Sequence, residues 1–124
     1  MKKTIYILLF LCSCFTTLYS QDTPHKTYKV MFYMANNGNF ISDNTTLIVT
    51  TNRITIQKGE SFKYWECEYK GIRSKQVDKD ISFKYHYYLT KDNISLIISD
   101  YKEVKHNGTF YYRIVFNGQT LLAL

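Results

Sequence analysis

Cys67 stands in the run YWECEY, between Trp65 and Tyr69 at alternate positions, with Glu66 and Glu68 on the other parity. A cysteine nucleophile needs a neighbouring base and a lowered thiol pKa. The bases available are His25, His86 and His106, and no nucleophile motif surrounds Cys67. A thiol flanked by two rings on one strand face is instead the pattern of a packed small hydrophobe. The glutamates, two residues apart on a strand, would hold their carboxylates roughly 6 to 7 Å apart. That separation is near the one inverting glycosidases use, but any E-x-E strand produces it, and a solvated outer face accounts for the pair. The histidines lie about sixty and twenty residues apart, without HxH, CxxC or HExxH spacing, so no metal site is expected. We therefore expect no catalytic residue, no metal and no cofactor, with an enzyme using scattered residues such as Glu66, Glu68, Cys67 or His86 as the last alternative.

The stronger feature is the aromatic stretch ISFKYHYYLTKDNISLIIS, residues 81–99. Side chains alternate along a strand, so Ile81, Phe83, Tyr85, Tyr87 and Leu89 share one face and Ser82, Lys84, His86, Tyr88 and Thr90 the other. A two-residue turn at Lys91-Asp92 would set Leu89 opposite Ile94, Tyr87 opposite Leu96 and Tyr85 opposite Ile98. That pairing puts apolar on apolar and predicts the odd positions as the inward face. On it, Tyr85, Tyr87 and Tyr112 are core residues whose hydroxyls would line any ligand cavity left in a small barrel. The outward face then carries Lys84, His86 and Tyr88 beside Ile97, followed by Tyr111, Arg113 and Val115. This is an apolar and basic patch of the kind that marks a contact surface. Expected partners are an envelope protein at that patch or a small apolar ligand in the interior. Nucleic acid is not expected, since no recognition motif or basic stripe is present.

These residues need strands to position them. Runs of β-branched and aromatic residues at Tyr28–Met34, Thr46–Thr50, Arg53–Gln57, Phe62–Tyr69, Ile81–Thr90, Ile94–Ser99 and Phe110–Phe116, with a short tail at Thr120–Leu124, are separated by Gly, Asn and Asp. That is the all-β signal. The gaps are too short for helical crossovers, so antiparallel pairing is expected: one meander closing into a β-barrel, lipocalin-like in outline, with a two-sheet β-sandwich as the alternative. Residues 46–57 read as two strands turned at Asn52 or as one long strand. Segments 35–44 and 70–80 read as loops. At Asn107-Gly108 a two-residue turn would put the inward residues of consecutive strands on opposite faces. A three-residue loop, His106 to Gly108, with a bulge and Val104 opposite Phe110, would restore the match.

The chain has 124 residues. Its first twenty place Lys2 and Lys3 before an apolar run from Ile5 to Leu11 and end in small and polar residues, the layout of a bacterial secretory signal. Cleavage is expected between Ser20 and Gln21, followed by a polar leader to residue 27 and a β domain from 28 to 124. LCSC at 11–14 resembles the lipobox of bacterial lipoproteins, which implies lipidation at Cys14 as the alternative and, on that reading alone, a membrane anchor. We expect an exported, periplasmic or secreted protein. After Ser20 only Cys67 remains, so no intramolecular disulfide can form and the fold must stand on its core. Removing Lys2 and Lys3 leaves 14 basic against 10 acidic residues. Eleven of the 14 are lysines, the composition of a solvated surface more than of a phosphate-reading one.

Overall fold

The computed structural model describes residues 26–124, the side chain of Val77 excepted. The expected signal peptide, Cys14, His25 and most of the expected leader lie outside the described residues. Nine strands follow one another: β1 (Lys26–Met34), β2 (Phe40–Val49), β3 (Arg53–Lys58), β4 (Ser61–Asp78), β5 (Ile81–Thr90), β6 (Ser95–Ser99), β7 (Val104–His106), β8 (Thr109–Phe116) and β9 (Gln119–Ala123). All pairings are antiparallel. Strands β1 to β6 form a meander, β8 pairs with β6, and β9 joins β8 back to β1, which closes an eight-stranded barrel. β7 is the additional strand, paired with the start of β8. Residues 46–57 are two strands, turned where the Thr50 N–H donates to the Arg53 carbonyl at 2.9 Å.

Two turns differ from the expected ones, and the first reverses the facing of a strand. Between β5 and β6 the loop is three residues, Lys91 to Asn93, with the Thr90 N–H bonded to the Ile94 carbonyl at 2.9 Å. Asn93 adopts φ 64°, a left-handed conformation that asparagine tolerates and that three-residue hairpins use. The Thr90 hydroxyl accepts from the backbone N–H groups of Asp92 and Ile94 and fixes the loop. Tyr88 therefore lies opposite Leu96 and His86 opposite Ile98. The whole row shifts by one residue, which exchanges its faces. His86, Tyr88 and Thr90 turn inward, and Tyr85 and Tyr87 face out. The expectation that Tyr85 and Tyr87 face the interior opposite Ile98 and Leu96 is thus corrected.

The second difference is the turn at Asn107-Gly108, which leaves Tyr112, Ile114 and Phe116 facing inward as expected. This is a two-residue turn, with His106 opposite Thr109 and Val104 opposite Tyr111. Both turn residues have positive φ, 51° and 85°, as a type I′ hairpin requires. The parity shift comes from the break Asp100–Glu103 between β6 and β7. From Ile98 to Val104 is six steps, while their partners Ile114 and Tyr111 are three apart. The odd excess changes the face.

Both segments read as loops contain strand. Phe40–Asn44 begins β2, and 70–78 is the outer half of β4, which reaches past β3 as a ribbon with β5.

The barrel interior is filled by Val30, Leu47, Ile54, Leu96, Ile98 and Ile114, all at most 1% exposed. Tyr28, Trp65, Cys67, Tyr88 and Tyr112 pack around this column. A bulge between Val30 and Phe32 sends Phe32 outward. There it meets the edges of the Tyr111 and His106 rings beside Leu122, the residue on the opposite face of β9 from Ala123. Tyr111 is buried in this second, outer cluster.

Candidate ligand-binding site

At one end the interior opens into a cavity of about 210 Å³, lined by Lys26 and Tyr28 of β1, Val49 of β2 with Thr50 and Thr51 of the following turn, Tyr69 of β4, and His86 and Tyr88 of β5. Strand alternation gathers these groups. Lys26 and Tyr28 are two apart on β1 and pair with Val49 and Leu47. On β4 the sequence Trp65, Cys67, Tyr69 points inward, and Tyr69 pairs with Tyr88. One residue further, a bulge between Tyr69 and Ile72 puts one extra residue into β4. Gly71 sits in it at φ 95°, a conformation costly for any residue with a Cβ. The bulge brings Tyr69 within reach of His86, one pair along β5, and bulges of this kind re-aim side chains.

The outcome is a hydrogen-bonded row. Tyr69 Oη and His86 Nδ1 are 2.8 Å apart, and His86 Nε2 and Asp100 Oδ1 are also 2.8 Å apart. The Asp100 carboxylate accepts from Nε2–H, so in the neutral ring Nδ1 is an acceptor and takes the Tyr69 O–H. Asp100 is held there by its own N–H, which donates to the Lys84 carbonyl at 3.0 Å. The break that corrects the parity of the last hairpin also supplies this carboxylate.

The remaining hydroxyls of the cavity are unlike Tyr69. Tyr28 is only 6% exposed, and neither its hydroxyl nor that of Tyr88 makes a hydrogen bond among the described residues. No buried side-chain nitrogen or oxygen there lacks a partner, so both hydroxyls are accessible. Burial pushes the Tyr28 pKa well above the ordinary phenol value, with the neighbouring Tyr88, Tyr112 and Asp100 adding to it. Burial also raises Tyr88, to about 12, with Tyr69 and Cys67 contributing. Both remain O–H donors at neutral pH.

The expected outer patch is taken apart. His86 and Tyr88 line the mouth cavity, Tyr111 is buried against Phe32, and Lys84 is exposed on the ribbon. Of its members Ile97, Arg113 and Val115 lie on the outer wall, as expected. Of the expected cavity tyrosines, Tyr112 is inside, edge-on to Tyr28 at 5.3 Å between ring centroids. Tyr85 and Tyr87 are outside. The Arg73 guanidinium lies 4.2 Å from the centroid of the Tyr87 ring. Tyr85 joins Phe83, Ile97 and Val115 in an outer groove of about 270 Å³, flanked by Lys75 and Arg113. The Arg113 Nε is 3.6 Å from Glu103.

Cys67 packs on the core, and burial raises its thiol to about 11, which opposes thiolate chemistry. Glu66 pairs with Lys91 at 2.7 Å, a contact that lowers the carboxyl pKa and raises the lysine's, and Glu68 pairs with Lys70 at 3.0 Å. Both glutamates are solvated. His106 lies against Phe32 and Phe40. Among the described residues no group of three or more His, Cys, Asp or Glu could hold a metal ion.

Sequence reasoning missed Lys26, Tyr28, Val49, Thr50, Thr51, Tyr69 and Asp100 as members of one site. The signal available was Asn93: a three-residue loop ending in an asparagine at the left-handed position would have turned His86 and Tyr88 inward. No family model, curated protein or solved structure matches the chain.

Proposed function

We propose that the protein is a non-catalytic, exported binding module that seats a small molecule at the open end of its barrel. The observation that carries this reading is the mouth cavity of about 210 Å³, with a nine-tenths-buried tyrosine whose hydroxyl has no partner among the described residues. The centre of the barrel is filled by branched side chains, so a ligand is seated at the mouth and not along the axis. Drug-sized ligands occupy about 300–1,000 Å³, which makes this ligand smaller. A panel of small aromatic and aliphatic compounds, followed by thermal shift, tests the reading. We expect stabilisation by some members and its loss in Thr51→Trp, which fills the mouth from an exposed position. Equal stabilisation of both proteins would overturn the assignment of the site. Export is read from the leader, and an intact N-terminus starting at Gln21 in mass spectrometry supports it, whereas a lipid on Cys14 would replace it with an anchored form.

The second reading is an interaction module for an envelope protein. It is favoured by the outer groove, where Phe83, Tyr85, Ile97 and Val115 lie together between cations. Capture from envelope extracts compared between the protein and a Tyr85→Ala, Arg113→Ala variant tests it, and equal capture retires the groove.

A further inference from the structure

We infer that the ligand of the mouth cavity is a small organic carboxylate with a flat or short apolar body. This inference rests on the small-ligand reading of the site and names the chemistry it selects. Polar groups at a ligand site fix orientation through the hydrogen bonds they still have to make, so the inventory of unused donors and acceptors defines what is missing.

The unused groups are donors. Tyr28 and Tyr88 offer O–H groups that make no hydrogen bond among the described residues, and Lys26 places an ammonium on the rim of the same cavity. Lys26 and Tyr28 are alternate residues of β1 and so address the cavity from one side, about 7 Å apart along the strand. The carboxylate and imidazole acceptors are already engaged. Asp100 Oδ1 takes His86 Nε2–H, and His86 Nδ1 takes Tyr69 O–H, both at 2.8 Å. The Thr50 hydroxyl donates to Asn52 Oδ1 at 2.9 Å and accepts from the Asn52 N–H at 3.3 Å. A carboxylate offers acceptors only and complements this excess of donors. An ammonium would bring further donors to a site already rich in them.

The rest of the lining selects the ligand's body. Tyr69 and Tyr88 have ring centroids 4.9 Å apart, and with Tyr28 and Val49 they present aromatic and aliphatic surface, which favours a ring or a short chain. Asp100 is already engaged, its Oδ1 accepting from His86 Nε2–H at 2.8 Å. Lys26 and Tyr28, both on β1 and both lining the cavity, place the carboxylate between them, with its body against Tyr69 and Tyr88.

Three probes of similar shape test this: benzoate, benzamide and benzylamine, each titrated into the purified protein and followed by two-dimensional NMR. The expected result is benzoate bound at least tenfold more tightly than benzamide, no binding of benzylamine, and shifts at Lys26, Tyr28 and Tyr88. Tyr28→Phe removes one donor and keeps the ring, and Lys26→Gln removes the rim charge from an exposed position. Each is expected to weaken benzoate about tenfold, in the range of a hydrogen bond to a charged group, and Lys26→Gln to weaken benzoate more than it weakens benzamide. Benzamide or benzylamine equal to or tighter than benzoate would overturn the carboxylate assignment and leave the small-ligand reading standing. Absence of binding by all three would overturn this inference, and the thermal-shift panel would then decide the wider reading. Unchanged benzoate affinity in both variants would also overturn it.

Discussion

Single residues divide into those that complete the interior and those that leave chemistry at its mouth. Cys67 belongs to the first kind. With burial holding its thiol at about 11, against roughly 8.5 for a free cysteine, we expect iodoacetamide to react slowly at pH 8. The pH dependence of the alkylation rate should place its midpoint well above that of a free thiol, and a fast reaction at pH 8 would remove Cys67 from the core. The tyrosines belong to the second kind, and their pKa values make a statement about stability. A tyrosine whose folded-state pKa is raised binds its proton more tightly in the folded than in the unfolded chain. Its contribution is fully present below the unfolded value of 10.0 and is lost as pH rises toward the folded value of about 12 for Tyr88, with Tyr28 shifted the same way. Urea unfolding midpoints should therefore fall above pH 10, and the fall should be smaller in a Tyr28→Phe, Tyr88→Phe double variant. An identical slope in both proteins would show that the alkaline loss has other sources.

At the scale of strands and turns, left-handed residues decide which side chains face the interior. Gly71, at φ 95°, has open space where a Cβ would go, so Gly71→Ala meets strain in the backbone and no clash. Left-handed geometry costs a residue with a Cβ roughly 1–2 kcal/mol, and equilibrium denaturation should show a loss of that size. Loosening the bulge should also weaken the Tyr69 to His86 contact, visible as a changed His86 ring environment in NMR. Strand positions, antiparallel pairing and barrel closure were legible because β-branched and aromatic residues alternate in short runs. The inward face of residues 81–90 was not, since Phe83, Tyr85, Tyr87 on one side and His86, Tyr88 on the other are both aromatic, and hydrophobicity leaves the parity undecided. Asn93 resolves it through backbone conformation, which periodicity does not register. The outer half of β4 was hidden for a related reason. Its run KGIRSKQVD is mostly polar, with Lys70, Arg73, Ser74, Lys75, Gln76 and Asp78 exposed, and lysines on an exposed edge discourage pairing with other chains. The candidate site was the least legible part, because it joins β1, β2, β4 and β5 with a carboxylate from an irregular break.

For the whole molecule, barrel closure through β6–β8 and β1–β9 makes the interior a single unit. Ile114 is fully buried between those seams, and Ile114→Ala should cost about 2–5 kcal/mol, read as a lower midpoint in a single cooperative transition. A split transition would instead show two independently stable halves. Closure also explains why the mouth is the place for a ligand: the axis is occupied by branched side chains, and the outer wall is either solvated or covered by the cluster around Tyr111. The most direct test of the account is the location of ligand-induced chemical shifts in the purified protein at saturating benzoate. We predict perturbations gathered at Lys26, Tyr28, Thr50, Thr51, Tyr69, His86 and Tyr88, while Phe83, Tyr85, Ile97, Arg113 and Val115 stay still. Perturbations gathered on that second group would contradict the account and move function to the outer wall.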